Sequence, residues 1–325
     1  MRRLSESELT VSMIRLIPAL LMVVAAFAPR GFSADPSDTL ELRLRLKAGD
    51  TRHVTTTVEQ HIDQTVGRNH QATEQTFGVG YAMSVEGVDA NGNMKVATKY
   101  ESVRLRQKGP AGALEYDSAN PPKQVPQGAR SFAALVGLGF TATITPTGKV
   151  TAVEGLDAMF AELLRKLELP DGPSKAAVQK VLADQFGEQA MKEHLENMFT
   201  LYPDAPVAVG ESWRRRVVVT KGFPVVIDGT YTLKDRSDGT AHVEVKATLS
   251  PNEAAGPVEL GTGRMSYELK GEQSGTAEVD EATGWTRSIT TTQLVSGTLR
   301  FQGSGTPETT SPITIRGKVT MESAK

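Results

Sequence analysis

The chain has 325 residues and a formal net charge of -2, with 6% aromatic residues and no cysteine. So even a charge balance lacks the clustered Lys and Arg that phosphate backbones require, and the sparse aromatics offer no stacking platform, which argues against nucleic acid as a partner. The missing cysteine removes disulfides, thiolate nucleophiles, thiolate metal sites and cysteine acylation together.

The N-terminus comes first in chain order. Arg2, Arg3 and Arg15 precede an apolar run from Leu16 to Ala28, and the small residues Gly31, Ser33 and Ala34 follow it. This is the layout of a secretory signal peptide over residues 1–34, with Met13 as an alternative start. The run is about 13 residues, against the ~20 a helix needs to span a bilayer. The expectation is an exported protein, periplasmic or extracellular, whose mature chain (35–325) is one β-rich domain without a transmembrane span.

Leu40, Leu42, Leu44 and Leu46 alternate with Glu41, Arg43, Arg45 and Lys47, the period-2 pattern of a strand with one wet face. Ala48-Gly49-Asp50 turns the chain, and Val54 to Val66 predicts a long strand. Phe77, Val79, Tyr81, Met83 and Val85 form the next apolar face. Opposite them lie Gly78, Gly80, Ala82 and Ser84, small residues that suit a bent or tightly packed strand. Asp89-Ala90-Asn91-Gly92 predicts a hairpin turn. Met94, Val96 and Tyr100 share a parity that Val103 and Leu105 do not, so a bulge is expected near Glu101 or Ser102. Lys108 to Gln127, with Pro110, Pro121, Pro122 and Pro126, reads as loop. Phe140, Ala142 and Ile144 lead through Pro146-Thr147-Gly148 to Val150 and Ala152 as a hairpin.

Residues 155–202 change period. Leu156, Met159, Phe160, Leu163, Leu164 and Leu167 make one helical stripe that stops before Pro170. A second helix begins at Pro173-Ser174 and uses Val178, Val181, Leu182 and Phe186. A third uses Met191, Leu195, Met198, Phe199 and Tyr202, up to Pro203. Strands resume with Trp213, Val217 and Val219, then Val225 to Leu233, a turn at Ser237-Asp238-Gly239, and Val243 to Leu249. Met265, Tyr267 and Leu269 predict one strand, Ala277 and Val279 another. Ala282-Thr283-Gly284 opens a long strand to Phe301, and Ile313, Ile315, Val319 and Met321 close the chain.

The fold class that follows is α+β, mainly β. A large curved antiparallel sheet, half-barrel or barrel-like, carries the three-helix insert (155–202) on its apolar face, between a first β half (35–154) and a second (203–325). Gly49-Asp50-Thr51-Arg52 matches Gly210-Glu211-Ser212-Trp213 in pattern, which suggests a duplicated meander.

Chemistry is thinly signalled. His53, Glu59, His61 and Asp63 share one strand face, but His53 and His61 lie roughly 27 Å apart along a strand, and His61, Asp63 and His70 converge only if the chain turns near Gly67. A solvated polar face is the reading taken over a metal site. His194 lacks the second histidine one turn away, and His242 alternates with Glu244 and Lys246 on a wet face. Gly303-Ser304-Gly305 lacks nucleophile-elbow spacing, and Gly148-Lys149-Val150 is a turn rather than a phosphate loop. Arg214-Arg215-Arg216 reads as an edge that resists aggregation. No catalytic residue, metal or cofactor is assigned.

The exported N-terminus, the Gly-Asp and Asp-Ala-Asn-Gly turns and the run Pro206-Val207 to Gly210-Glu211-Ser212-Trp213 resemble a family of uncharacterised bacterial exported proteins, defined only as a domain of unknown function. That resemblance implies no activity. A looser, architectural likeness is to periplasmic lipoprotein-carrier folds. The function expected first is a non-enzymatic binding protein with a hydrophobic or lipid-like ligand between helices and sheet. Its apolar candidates are Met159, Phe160, Met191, Met198 and Phe199; the competing account is that they only fill the core. The alternative is an envelope or cell-surface interaction module whose partner is an envelope protein. A hydrolase comes third.

Overall fold

The computed structural model describes residues 39–324, apart from 111, 170, 200, 220–223, 261–262 and 304–306. The expected signal peptide and most of Gly303-Ser304-Gly305 lie outside the described residues.

Among the described residues thirteen strands form one antiparallel sheet. The first half contributes β1 (Thr51–Val66), β2 (Asn69–Val88), β3 (Met94–Gly109), β4 (Gly112–Asp117), β5 (Gly139–Ile144) and β6 (Val150–Glu154). The second contributes β7 (Ser212–Val219), β8 (Val225–Ser237), β9 (Thr240–Pro251), β10 (Val258–Leu260), β11 (Gly263–Asp280), β12 (Thr286–Gly303) and β13 (Thr309–Ala324). The order is β6-β5-β3-β2-β1-β13-β12-β11-β9-β8-β7, with β4 on β3 and β10 on β11. Two meanders thus meet at β1 and β13, and their outermost strands, β6 and β7, do not pair. The sheet stays open.

Four helices are described: α1 (Arg130–Leu135), then α2 (Leu156–Lys166), α3 (Pro173–Phe186) and α4 (Glu188–Met198). The last three lie in the chain between β6 and β7, so the insert joins one sheet edge to the other. Leu156, Met159, Leu163, Leu164, Leu182, Met191 and Leu195 share one continuous core with the inward residues of the strands. α4 also guards an edge, since Glu196 Oε1 accepts the Val150 backbone N–H of β6 at 2.9 Å.

The leucine alternation of residues 40–46 holds in burial, all four leucines being buried. The segment is nevertheless not a sheet strand. Its N–H groups go to three different places: Leu40 to the Val207 carbonyl (2.7 Å), Leu44 to Pro146 (2.8 Å) and Arg45 to Thr283 (2.7 Å). No single partner runs alongside, so the segment is an extended strap across the β5–β6 and β11–β12 turns. Gly284 has φ +66°, and a Cβ there would run into the Arg43 carbonyl, so only glycine lets the strap pass.

Other departures have equally local causes. β4 falls inside the expected loop 108–127, because the prolines flank it; Tyr116 joins Leu105 and Ala129 in a small second core. Residues 263–280 are one strand rather than two, and the third helix ends at Met198, leaving Phe199 as its C-cap and Tyr202 beyond it. The bulge falls where parity required it: Gly80 faces Ser102 and Tyr81 faces Tyr100, which leaves Glu101 unpaired.

The two matched turns are equivalent in detail. Gly49 and Gly210 have φ +91° and +89°. Asp50 Oδ2 accepts the Lys47 N–H (2.9 Å) and Glu211 Oε2 the Ala208 N–H (2.8 Å), each three residues back. Gly49 and Gly210 donate to the carbonyls of Val85 and Leu233, and each of these residues donates back, to Asp50 and Glu211 respectively. A bulge follows both Val85 and Leu233. The repeat is therefore geometric as well as sequential.

Candidate functional site

Strand parity sorts the side chains of β1. Val54, Val58 and Ile62 point into the core, and His53, Glu59, His61 and Asp63 lie on the outer face. Register aligns that outer face across strands: Lys108, Glu74, His61 and Arg316 form one row, and Arg106, Thr76, Glu59 and Lys318 the next. These rows border a concavity of about 460 Å³ lined by Glu59, His61, Glu74, Arg106, Lys108 and Arg316, among others.

The rim of this concavity is braced by Asp63. Arg316 Nη1 donates to Asp63 Oδ2 at 2.7 Å, while His61 Nε2 and His70 Nε2 lie 3.3 and 3.6 Å from Asp63 Oδ1. The β1–β2 hairpin, turning at Gly67, does bring His61, Asp63 and His70 together. Arg316 holds the second carboxylate oxygen and, with a lesser contribution from His61, keeps Asp63 below its ordinary pKa against the opposing effect of burial. A carboxylate already bound to a guanidinium is poorly placed to ligate a cation. Among the described residues no group of three or more His, Asp or Glu is arranged to hold a metal ion. His53 pairs instead with Glu101 (2.9 Å), the residue that the bulge leaves unpaired.

The apolar candidates are placed differently. Met159, Met191 and Phe199 are buried, and Phe160 and Met198 pack half-buried against the same core. Only Met198 and Phe199 border a space beside the sheet, of about 20 Å³, walled also by Val54, Tyr81, Met83, Tyr202, Trp285, Thr286 and Met321. That volume suits one water-sized group. Arg214, Arg215 and Arg216 sit on β7, an edge strand as expected, where Arg215 binds Asp204 (2.7 and 2.8 Å) and Arg216 lies 3.3 Å from Asp228.

Arg106, Lys108 and Arg316 were not singled out from sequence. For Arg106 and Arg316 the signal was present as parity, since each falls on the wet face of a predicted strand, whereas Lys108 opens the stretch read as loop and lies instead near the end of β3. Which strands adjoin, and so which charges meet, is fixed by register over separations such as 61 to 316.

The fold defines a mainly-β protein built on one open antiparallel sheet with few helices. The chain belongs to a family of unknown function (DUF6263), which matches residues 91–286 and includes the Pro206 to Trp213 run. No curated protein matches it. Among solved structures, lipovitellin, described for its lipid–protein interactions, is 8% identical over 86% of this chain and 25% of its own, with a TM-score of 0.47. The chain therefore spans about a quarter of that protein's length. DynF from the dynemicin pathway of Micromonospora chersina is 8% identical over 91% of both chains (TM-score 0.17). OpdQ of Pseudomonas aeruginosa is 6% identical over 83% and 98% (TM-score 0.18). At such scores these likenesses carry no argument. Among the described residues no helix is long and apolar enough to cross a membrane.

Proposed function

We propose that this is an exported, non-enzymatic interaction module that binds a partner in the cell envelope through the outer face of β1, β2, β3 and β13. The observation that carries the reading is the contrast in space. The charged concavity there measures about 460 Å³, whereas the seam beside Met198 and Phe199 measures about 20 Å³. Ligand sites typically occupy about 300–1,000 Å³. Charges of both signs without an aromatic platform suit a polypeptide surface of mixed charge better than a sugar or an acyl chain.

The test is capture from an envelope fraction with wild type and with Arg106→Glu/Lys108→Glu. Both side chains are at the surface, so the variant should keep its melting temperature and lose the captured partner. Equal capture by both proteins would refute the assignment.

A second reading, a hydrophobic or lipid-like ligand between helices and sheet, is favoured by one feature. Three of the residues around the small seam are Met83, Met198 and Met321, and methionine walls re-pack readily around a guest. Met159, Phe160 and Met191 would then be the floor that such a guest reaches as the helices shift. Native mass spectrometry of freshly purified protein tests it: co-purified acyl chains support the reading, and an empty protein counts against it.

A further inference from the structure

At two places on the outer face, opposite charges that are register partners close into an ion pair. Arg104 on β3 meets Asp117 on β4 at 2.7 Å, and Arg216 on β7 lies 3.3 Å from Asp228 on β8. Around the concavity three such pairings stay open. Lys108 faces Glu74, Arg106 faces Glu115 and Lys318 faces Glu59. Among the described residues none of these six side chains closes an ion pair or a side-chain hydrogen bond. Their charges are available to a partner.

Those charges are ordered by strand. Arg106 and Lys108 stand on β3, Glu74 and Glu59 on β2 and β1, and Arg316 and Lys318 on β13. Across the sheet the order is cation, carboxylate, cation. Arg316 is held by Asp63, which leaves Lys318 to act on its side. Neighbouring strands lie about 4.8 Å apart, so the two cationic strands are separated by about 14 Å with the carboxylates between them. A wholly acidic partner would set its charge against Glu59 and Glu74, and a wholly basic one against Arg106, Lys108 and Lys318. Like charges brought together in an interface are costly. An extended segment repeats its side-chain direction every two residues, about 6.8 Å, so positions i, i+2 and i+4 span about 14 Å on one face. The two spacings match.

We propose that the concavity receives an extended polypeptide segment that crosses β3, β2, β1 and β13 with the pattern acidic-x-basic-x-acidic. Its basic side chain sits between Glu59 and Glu74, one acidic residue meets Arg106 and Lys108, and the other meets Lys318. The inference rests on the interaction-module reading and specifies the charge order of the partner.

Three synthetic peptides test that order: Glu-Thr-Lys-Thr-Glu, Glu-Thr-Glu-Thr-Glu and Lys-Thr-Glu-Thr-Lys. Each is capped at both ends, carries a fluorophore and is titrated by anisotropy at low salt against wild type and Glu59→Gln/Glu74→Gln. Both glutamates are exposed, so the variant should keep the wild-type melting temperature; if it does not, Glu74→Gln alone replaces it. Wild type should prefer the first peptide over the other two by about tenfold, the scale of one close charge pair. In the variant the preference over the all-acidic peptide should vanish. A wild-type preference for the all-acidic or the inverted peptide overturns the charge order. So does equal binding of the first peptide by wild type and variant, or no binding of any of the three. The interaction-module reading stands or falls separately, on envelope capture by wild type against Arg106→Glu/Lys108→Glu.

Discussion

Asp280 and Gly284 hold the turn on which the strap and the post-helix segment converge. Burial acts to raise the Asp280 pKa, but hydrogen bonds from Thr283 N–H (2.9 Å), Thr283 Oγ1 (2.7 Å) and Arg287 outweigh it and hold the carboxyl at about 2. The folded value lies below the unfolded one, so this stabilisation is complete above pH ~4 and is lost as pH falls through about 2. Urea midpoints should decline across that window. Asp280→Asn should cost roughly 1–2 kcal/mol at pH 7 and flatten part of the decline; an unchanged acid slope would contradict the assignment. Gly284→Ala forces a Cβ into the Arg43 carbonyl at positive φ, and a loss of about 2–4 kcal/mol is expected from chemical denaturation. Gln293 makes the opposite prediction. It is buried on the inner face, between the apolar rows of Thr291 and Val295, and neither of its amide atoms has a partner among the described residues. Gln293→Leu should be neutral or stabilising by up to about 1 kcal/mol, whereas a loss beyond that would mean that ordered water bridges the amide. Parity with Ile289 would assign Gln293 to the core; an amide among apolar neighbours hid it.

Elements were legible where one period ran unbroken. The helices of the insert, the long strand from Thr286 and the bulge at Glu101 all followed from spacing, because side-chain direction is local geometry. Partners were not legible. The strap has a strand's alternation, yet its hydrogen bonds go to turns more than a hundred residues away. Nothing local distinguishes such a segment from an edge strand. β4 was hidden by prolines that lie outside it, and β11 read as two strands because its middle carries Gly271, Gln273 and Gly275 on the core face, opposite Val295, Gln293 and Thr291. These small and polar residues interrupt the apolar pattern without breaking the ladder. If the strap is a structural tie, Leu42→Ala should cost about 2–5 kcal/mol in a urea titration, as for any large buried side chain. A loss under about 1 kcal/mol would mean the strap is peripheral.

The whole molecule is two meanders joined at β1 and β13, with the helical insert running between the open edges. Membership of a family of unknown function agrees with what the Pro206 to Trp213 run implied. The structural use of that run is now visible: Val207 bridges Leu40, Gly210 and Glu211 shape the turn, and Trp213 stacks on Tyr231 at 5.5 Å. Its residues specify architecture, which explains why they resemble a family yet name no chemistry. The outer concavity was invisible for a different reason, since it exists only once β13, the last strand, is laid beside β1, the first. The most direct test of its role is site-specific photocrosslinking in intact cells. A crosslinking residue placed at Thr76, inside the concavity, should yield a discrete adduct. One placed at Thr248, exposed on β9, should not. Equal adducts at both positions, or an adduct at Thr248 alone, would contradict the account.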